Sequence, residues 1–303
     1  MSVSSVVPQH GPLAAAYAAC QALAQSHYEN FPVASRLLPA PMRPHVAAVY
    51  AFARVADDIA DEGHEPPAVR QARLQSWQSQ LHAAVAGQPL DRRSGSRDEL
   101  MMTALAHTIR SLDLPMSLFD DLVSAFGQDI TTNRYRSWAE VLDYCRRSAN
   151  PVGRLVLRIA GYRDEALDRS SDAMCTALQL TNFWQDFGRD WQAGRLYVPH
   201  DVQIAAGATE TDLAAERWTA NWTAAMESCI VTTRELFDRG RFVCDGVRGR
   251  LRFELRLTWH GGMYVLERVE AARDTLLSHR PKLHGTDLPV LLWRAARWGG
   301  AAA

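Results

Sequence analysis

The chain is divided into long segments rich in Ala, Leu, Arg and Gln by short breaks that contain Gly and Pro. β-branched residues never alternate with polar residues for long enough to indicate a strand. The segments between the breaks predict nine helices, at residues 11–28, 44–62, 68–86, 98–111, 116–130, 138–160, 165–192, 212–240 and 250–278. This pattern predicts an all-α fold.

Length and composition are those of a folded globular protein. At 303 residues, a prior of about 150 residues per domain allows one or two domains. The chain is 47% hydrophobic and 22% charged, and its formal net charge of −1 gives no sign of a nucleic-acid partner. The two acidic motifs described below make chemical sense only if they meet in space. We therefore predict a single domain over residues 1–303, with its core at about residues 11–280.

Cysteine usage and the termini predict a cytoplasmic protein. The five cysteines form no CxxC pair and no zinc-ligand spacing, which is typical of reduced, buried thiols. The N-terminus lacks the features of a secretory signal, and no apolar stretch is long enough to span a bilayer. Residues 288–298 contain Trp and Arg suited to a membrane interface. We favour a last helix packed on the body of the protein, while a peripheral contact with the inner membrane surface stays open.

A first acidic stripe is predicted on the helix that contains residues 50–61. At about 100° per residue, Tyr50, Arg54, Asp57 and Asp61 fall within an arc of roughly 60°, and Asp58 lies about 40° outside it. The flanking positions are small or apolar, so this helix is predicted to be largely buried. Carboxylates four residues apart repel each other, and Arg54 supplies only one compensating charge. We therefore expect a further cation at this stripe.

A second polar stripe runs through residues 179–190. Gln179, Asn182, Asp186 and Asp190 occupy an arc of about 80° on the predicted helix. Side-chain oxygens without His or Cys favour a hard cation, Mg²⁺ or Mn²⁺, over zinc. Two such stripes facing each other would hold several Mg²⁺ ions around a diphosphate. The candidate metal ligands are Asp57, Asp58, Asp61, Asn182, Asp186 and Asp190.

Two alternatives stay open for these charged residues. The stripes are also explained by structural ion-pair networks that involve Arg54 and Arg189. Arg195, which follows the second stripe together with Tyr197, suits bidentate contacts with phosphate. It equally suits a partner for the C-terminal dipole of the preceding helix.

Together these residues resemble the squalene/phytoene synthases, which join or rearrange prenyl diphosphates. The family pattern Y-x-x-x-R-x-x-D-D-x-x-D matches residues 50–61, and Q-x-x-N-x-x-x-D-x-x-x-D followed by R-x-Y matches residues 179–197. The resemblance implies an isoprenoid-synthase helical fold with a central hydrophobic cavity. It implies catalytic roles for Tyr50, Asp57, Asp61, Asp186, Asp190 and Tyr197. It implies substrate contacts for Phe31, Arg54, Tyr144, Gln179, Asn182 and Arg195.

Residues 29–35, 144–153 and 182–186 resemble, more narrowly, the hydroxysqualene synthases of bacterial hopanoid pathways. Many phytoene and squalene synthases have a small residue and Thr or Ser before Val-Gly, whereas this chain has Asn150 and Pro151. Hydroxysqualene synthases convert presqualene diphosphate to hydroxysqualene, with water as the terminal nucleophile. The resemblance therefore implies Mg²⁺ (or Mn²⁺), no need for NADPH, and functional coupling to a presqualene diphosphate synthase. Asn150 and Tyr28 are candidates to orient the water.

Rival functions stay open at this point. A squalene or phytoene synthase would condense two prenyl diphosphates head-to-head, and squalene formation would require hydride from NADPH. A non-catalytic subunit that binds lipid or a partner synthase belongs to another class. The intact acidic stripes argue against it, because such a subunit has no reason to keep carboxylates that repel each other.

Overall fold

The computed structural model describes residues 10–26, 37–61, 65–89 and 96–299. Phe31 and Tyr28, both candidates from the sequence, lie outside these ranges. Within the described ranges the regular structure is helical, and strand-like pairing is limited to one parallel bridge between Arg134 and Leu196. The predicted all-α fold is confirmed.

Fifteen α-helices occur in the described part of the chain. In chain order they are α1 (Pro12–Ser26), α2 (Arg43–Asp61), α3 (Pro67–Val85), α4 (Arg97–Leu112), α5 (Met116–Asp129), α6 (Trp138–Ser148), α7 (Asn150–Ile159), α8 (Glu165–Gln185), α9 (Phe187–Gln192), α10 (His200–Ala206), α11 (Glu210–Ala214), α12 (Ala220–Gly240), α13 (Val243–Gly246), α14 (Gly249–Ala271) and α15 (Leu288–Ala296).

The chain divides into two compact units. Unit 1 consists of Met1–Thr131 and Pro151–Arg163, and unit 2 consists of Thr132–Asn150 and Asp164–Ala303. Unit 1 therefore contains α1 to α5 and nearly all of α7, while unit 2 contains α6 and α8 to α15. The single domain expected from the sequence stays a prediction.

The central helix of unit 1 is α2, against which α1, α3, α4 and α5 all pack. Many of its buried positions are Ala, which lets neighbouring helices approach closely. Phe52 fills the space between them, and its ring centroid lies 5.7 Å from that of Trp77 and 5.8 Å from that of Phe119. Buried aromatic contacts of this kind add to the hydrophobic stabilisation. The core on one side of α2 thus fixes the direction in which residues 50–61 present their charges.

The central helix of unit 2 is α8, which packs against α6, α12, α13 and α14. Gly240 allows α12 to come close, because a Cβ atom there would lie 2.7 Å from the backbone of Met174. The same two helices are joined by the buried indole of Trp184, which donates a hydrogen bond of 2.8 Å to Thr233 Oγ1. This packing holds the residues of the second polar stripe on a rigid helix.

Two of the predicted long helices are interrupted where the sequence suggested continuity. The predicted helix 138–160 is wrong, because α6 and α7 are separated at Ala149, just before Asn150 and Pro151. Pro151 lacks an amide hydrogen, so it fits the first turn of a new helix, where that hydrogen would have no partner. The predicted helix 165–192 is also interrupted at Asp186, whose φ of −94° and ψ of 10° separate α8 from α9.

The boundaries of the last two predicted helices also need correction. In place of 212–240, α11 ends before Glu216, which adopts a positive φ of 52°, and α12 begins after the Thr219 cap. The Thr219 side chain accepts a hydrogen bond from the Trp222 amide, which satisfies one of the free donors at the helix start. In place of 250–278, α14 ends at Ala271 and continues as a series of turns.

The favoured interpretation of residues 288–298 as a last helix is confirmed by α15. The inner side of α15 packs through Leu291 and Ala295, which are both buried. Across the described ranges, every helix is too short or too polar to cross a bilayer.

Candidate active site

The first acidic stripe lies on the last three turns of α2, where the sequence predicted it. The Arg54 guanidinium lies 2.7 Å from Asp58 Oδ1 and 3.6 Å from Asp57 Oδ2. Arg54 therefore pairs most closely with the carboxylate that the helical wheel placed at the edge of the stripe. Asp61 is exposed at the end of the helix. Arg54 thus contacts two of the three carboxylates of the stripe.

Tyr50 begins the stripe, and its environment differs from that of the carboxylates. The hydroxyl oxygen is buried and has no hydrogen-bond partner among the residues that the structure describes. Burial raises the pKa of Tyr50 above its ordinary value of 10.0, the Arg54 charge lowers it, and the Asp57 and Asp58 charges raise it. The neutral Tyr50 hydroxyl can therefore donate a hydrogen bond, but no described residue accepts it. A buried hydroxyl without a partner is expected where a ligand binds.

The second stripe contains an ion pair that the sequence did not predict. Both Nε and Nη2 of Arg280 contact the carboxylate of Asp186, the second at 3.1 Å from Oδ2. Arg189 is more distant, with Nη1 3.9 Å from Asp186 Oδ1. The hydrogen bond to Asp186 raises the pKa of the Arg280 guanidinium. Asp186 thus lies beside two guanidinium groups, of which that of Arg280 is the closer.

The contact between Arg280 and Asp186 depends on close backbone packing. Gly188, in α9, lies against the chain at Leu277, where a Cβ atom on Gly188 would be only 2.3 Å from the Leu277 carbonyl oxygen. Beside it, the Gln185 side chain donates a hydrogen bond of 2.7 Å to the Pro281 carbonyl. Because residue 188 has no side chain, the segment 276–281 can pack closely against the junction of α8 and α9.

An aromatic cluster lies next to this junction. The rings of Phe183 and Tyr197 stack in parallel, with centroids 3.6 Å apart, and Tyr144 lies 6.1 Å from Phe183. Tyr135 completes the group at 5.7 Å from Tyr197 and 5.8 Å from Tyr144. All four rings are buried. Tyr144 and Tyr197, both predicted site residues, are thus brought together around Phe183, and the structure adds Tyr135.

Backbone pairing explains how Tyr135 reaches Tyr197. The amide of Leu196 donates a hydrogen bond of 3.0 Å to the Asn133 carbonyl, and the amide of His200 donates one of 2.9 Å to the Tyr135 carbonyl. Two extended segments that are distant in sequence therefore run side by side. Their side chains meet as neighbours across the parallel bridge.

The remaining predicted residues of unit 2 line the same region. On α8, Gln179 is half-buried and Asn182 is exposed, while Asp190 on α9 is half-buried. Arg195 is half-buried, and its amide donates a hydrogen bond of 2.7 Å to the Asp190 carbonyl. This bond folds the chain back at the end of α9 and places Arg195 beside the second stripe. Phe187, on α9, packs against Trp218.

The carboxylates of the two stripes are oxygen donors of the kind that bind a hard cation. In the described ranges, no group of three or more His, Cys, Asp or Glu side chains is arranged to hold a metal. Each stripe nevertheless offers carboxylate oxygens, the donors that Mg²⁺ prefers, and Mg²⁺ often binds one or two carboxylates plus substrate phosphates. The donor chemistry therefore fits a metal ion that arrives with a diphosphate.

Arg280 and Tyr135 are the two site residues that sequence reasoning missed. Arg280 follows the end of a predicted helix and has no motif partner near it in sequence. Tyr135 lies in a short connection between helices. Only the packing around Gly188 and the pairing of two extended segments reveal them.

Comparison with known proteins agrees with this fold and these residues. The family model described as squalene/phytoene synthase matches residues 24–287. A hydroxysqualene synthase of Sinorhizobium fredii is 32% identical over 91% of this chain and 89% of its own length. A hydroxysqualene synthase of Zymomonas mobilis is 38% identical over 70% of this chain and 68% of its own length. The crystal structure of squalene synthase HpnC from Alicyclobacillus acidocaldarius is 37% identical, with a TM-score of 0.80, and covers 90% of this chain and 98% of its own.

These matches and the helical fold define an enzyme of isoprenoid biosynthesis. The chain belongs to the squalene/phytoene synthase family. The family acts on prenyl diphosphates and typically uses a divalent metal.

Proposed function

We propose that this enzyme converts presqualene diphosphate to hydroxysqualene, by loss of diphosphate, rearrangement of the carbocation and capture of water. The observation that carries the proposal is the stretch 183–197, which joins an arginine-bound carboxylate at Asp186 to the stacked rings of Phe183 and Tyr197. One short segment thus combines a carboxylate that could hold a metal ion for the leaving diphosphate with aromatic rings that could stabilise the carbocation. Two relatives that carry the name hydroxysqualene synthase support this choice of reaction.

The metal in this proposal is Mg²⁺, with Mn²⁺ as a substitute. The proposed carboxylate ligands are Asp57, Asp58 and Asp61 in unit 1, and Asp186 and Asp190 in unit 2. Asn182 would add an amide oxygen. When bound, Mg²⁺ would supply Lewis-acid neutralisation of the leaving diphosphate. The three carboxylates that α2 carries close together support this assignment, because carboxylate oxygens are the donors that a hard cation prefers.

The arginines and polar groups of the chain would bind and orient the diphosphate. Arg54, Arg195 and Arg280 offer planar guanidinium groups that suit bidentate contacts with phosphate oxygens. Tyr50 would donate its buried hydroxyl, which has no partner among the described residues. Gln179 would donate its amide from the same face as Asp186. These contacts would stabilise the negative charge that grows on the leaving group.

The aromatic cluster would stabilise the cyclopropylcarbinyl cation and exclude bulk water from it. Faces of Tyr144, Phe183 and Tyr197 offer negative electrostatic potential to a cation, and their burial leaves little room for water. Phe31, a substrate-contact candidate from the family resemblance, keeps that role in the proposal. We propose that these aromatic side chains line the central hydrophobic cavity that the family resemblance implies.

Capture by a single water requires a group that orients it. Asn150 is buried, and its side-chain oxygen accepts a hydrogen bond of 2.9 Å from Thr176 Oγ1. This bond fixes the direction of the amide group and so supports Asn150 as the orienting residue. Tyr28 is the second candidate.

Product analysis with purified enzyme tests the proposed reaction. With presqualene diphosphate and Mg²⁺ we expect hydroxysqualene, in the same amount with and without NADPH. Asp57→Ala and Asp186→Ala should abolish most turnover, and Glu235→Ala, at an exposed position on α12, should leave it unchanged. Wild-type rates in either aspartate variant would overturn the metal assignment.

A squalene or phytoene synthase activity is the second candidate. It is favoured by the likeness to the crystal structure of squalene synthase HpnC from Alicyclobacillus acidocaldarius, at 37% identity. Farnesyl diphosphate alone would then be consumed, and squalene formation would depend on NADPH. The mass of the product separates an alcohol from either hydrocarbon.

The proposed reaction also has consequences for partners and location. The substrate is an insoluble lipid with a charged head, so a presqualene diphosphate synthase that delivers it directly would raise its local concentration. We place the enzyme in the cytoplasm, with a peripheral contact at the inner membrane surface.

A further inference from the structure

Exposed apolar side chains are concentrated near the C-terminus. Among the described residues, ten large hydrophobic side chains are exposed, and five of them lie within residues 283–293. These five are Leu283, Leu288, Val290, Leu292 and Trp293. Single exposed apolar residues are common on soluble proteins, but a contiguous group marks an interaction surface.

The outward side of α15 is apolar along its whole length. At about 100° per residue, Leu288, Leu292 and Trp293 share one side of the helix with Pro289 and Ala296. Trp293 is 57% exposed. We call this side, defined by Leu288, Pro289, Leu292, Trp293 and Ala296, the apolar face of α15.

The fold does not use this face, because the opposite side of α15 already anchors the helix. The indole of Trp298, just after α15, lies between two guanidinium groups, 4.1 Å from that of Arg241 and 5.3 Å from that of Arg256. Its Nε1 donates a hydrogen bond of 3.2 Å to Asp245. The helix is therefore held firmly while its apolar face points away from the protein.

A positively charged pocket adjoins the apolar face. It has a volume of about 510 Å³, and its lining includes Arg241, Arg294 and Arg297 together with His260. The one carboxylate in its lining is Glu267, 4.0 Å from Arg294. Residues 288–299 contain no Asp or Glu. The surroundings of the apolar face are thus cationic.

We infer that the apolar face of α15 and this arginine pocket bind the surface of an anionic phospholipid bilayer. Leu and Trp side chains enter the boundary between headgroups and acyl chains, and flanking arginines contact lipid phosphates. This inference rests on the surface charge and the apolar side chains, and it does not depend on the proposed reaction.

The charge distribution favours a bilayer over a second copy of the chain. A two-fold interface places the same patch of both subunits together. Such an interface would bring the two arginine-rich patches close together, and the like charges of Arg294 and Arg297 would oppose the contact. An anionic membrane surface attracts the same arginines.

Vesicle flotation of the full chain tests the inference. Wild-type protein should float with phosphatidylglycerol-containing vesicles and much less with pure phosphatidylcholine vesicles. Leu292→Ser/Trp293→Ser should weaken binding by more than about ten-fold, because both side chains lose apolar burial. Arg297→Gln should weaken binding by about five-fold, because each arginine near an anionic membrane surface increases the binding affinity by about this factor.

The control variant is Ile204→Ser/Val231→Ser, which removes two exposed apolar side chains from α10 and α12. It should float like the wild type, and all variants should unfold at the same urea concentration and turn over detergent-solubilised substrate equally. Failure of the wild type to bind anionic vesicles would overturn the inference, as would equal binding by Leu292→Ser/Trp293→Ser. A dimer that this variant converts to a monomer, without vesicle binding, would assign the face to self-association instead.

Discussion

Arg280 binds Asp186 through two nitrogens of its guanidinium group, although the two residues are 94 positions apart in sequence. The pair is partly buried, with side-chain exposures of 29% and 17%. Arg280 thus orients the first carboxylate of the second stripe and supplies a cation beside it. Neither function is visible in the motif itself.

Two substitutions of Arg280 should distinguish the effect of its positive charge from the effect of its two-point contact with Asp186. We expect Arg280→Ala to lower kcat/KM by at least about ten-fold and to destabilise the protein by about 1–3 kcal/mol, because a partly buried carboxylate loses its partner. Arg280→Lys keeps the charge and loses the two-point contact, so its kcat/KM should lie between those of the wild type and Arg280→Ala. Steady-state kinetics and urea unfolding measure both effects. Equal kcat/KM in all three proteins would show that Arg280 has no role in turnover.

Gly188 should tolerate no side chain. In Gly188→Ala the new Cβ would overlap the Leu277 carbonyl, so α9 must move away from the segment that carries Arg280. We expect a loss of about 1–3 kcal/mol in unfolding free energy, together with reduced activity. Gly261→Ala on α14 is the matched control, since a Cβ there meets no atom within 4 Å. It should be neutral or stabilising by up to about 1 kcal/mol.

The two adjacent carboxylates of α2 should differ in importance. Asp58 lies 2.7 Å from the Arg54 guanidinium, and Asp57 lies 3.6 Å from it. Asp58 is therefore the closer partner of Arg54, whereas Asp57 lies within the arc of the stripe together with Asp61. We expect Asp57→Asn to lower Mg²⁺-dependent turnover by about ten-fold more than Asp58→Asn. Titration of activity with Mg²⁺ measures this, and the opposite order would contradict the assignment.

A buried polar network in unit 1 should make stability depend on pH. His107 Nδ1 lies 2.8 Å from Tyr17 Oη, and burial raises the pKa of Tyr17 to about 12. Burial and, secondarily, the Arg110 charge lower the pKa of His107 below its ordinary value of 6.5. As the pH falls, the unfolded chain therefore takes up this proton before the folded chain does. The contribution of His107 to stability is present above pH 6.5 and is lost as the pH falls through the folded-state pKa.

Urea unfolding of wild type and His107→Gln, above and below pH 6.5, measures this contribution. The free energy of unfolding of the wild type, relative to the variant, should fall on acidification. A difference between the two proteins that does not change with pH would remove His107 as the cause.

Local patterns in the sequence were enough to predict much of the molecule. The all-α fold follows from helix-forming segments bounded by Gly and Pro, and α2 carries its acidic stripe where the 100° periodicity placed it. The motif residues also led to the family, which the comparisons confirm. The catalytic roles and the Mg²⁺ ligands stay predictions.

The sequence by itself determined the all-α fold and the side of α2 that carries charge, because periodicity and capping act between residues that are near in the chain. The interruptions at Ala149 and Asp186 emerged only from the structure. Tertiary structure decided that Asp186 is bound by Arg280 and that Tyr135 joins Tyr144 and Tyr197. It also placed the apolar face of α15 outward, because Trp298 and Leu291 occupy the inner side. Such contacts depend on how closely distant backbones approach, and at Gly188 that distance is set by a missing side chain.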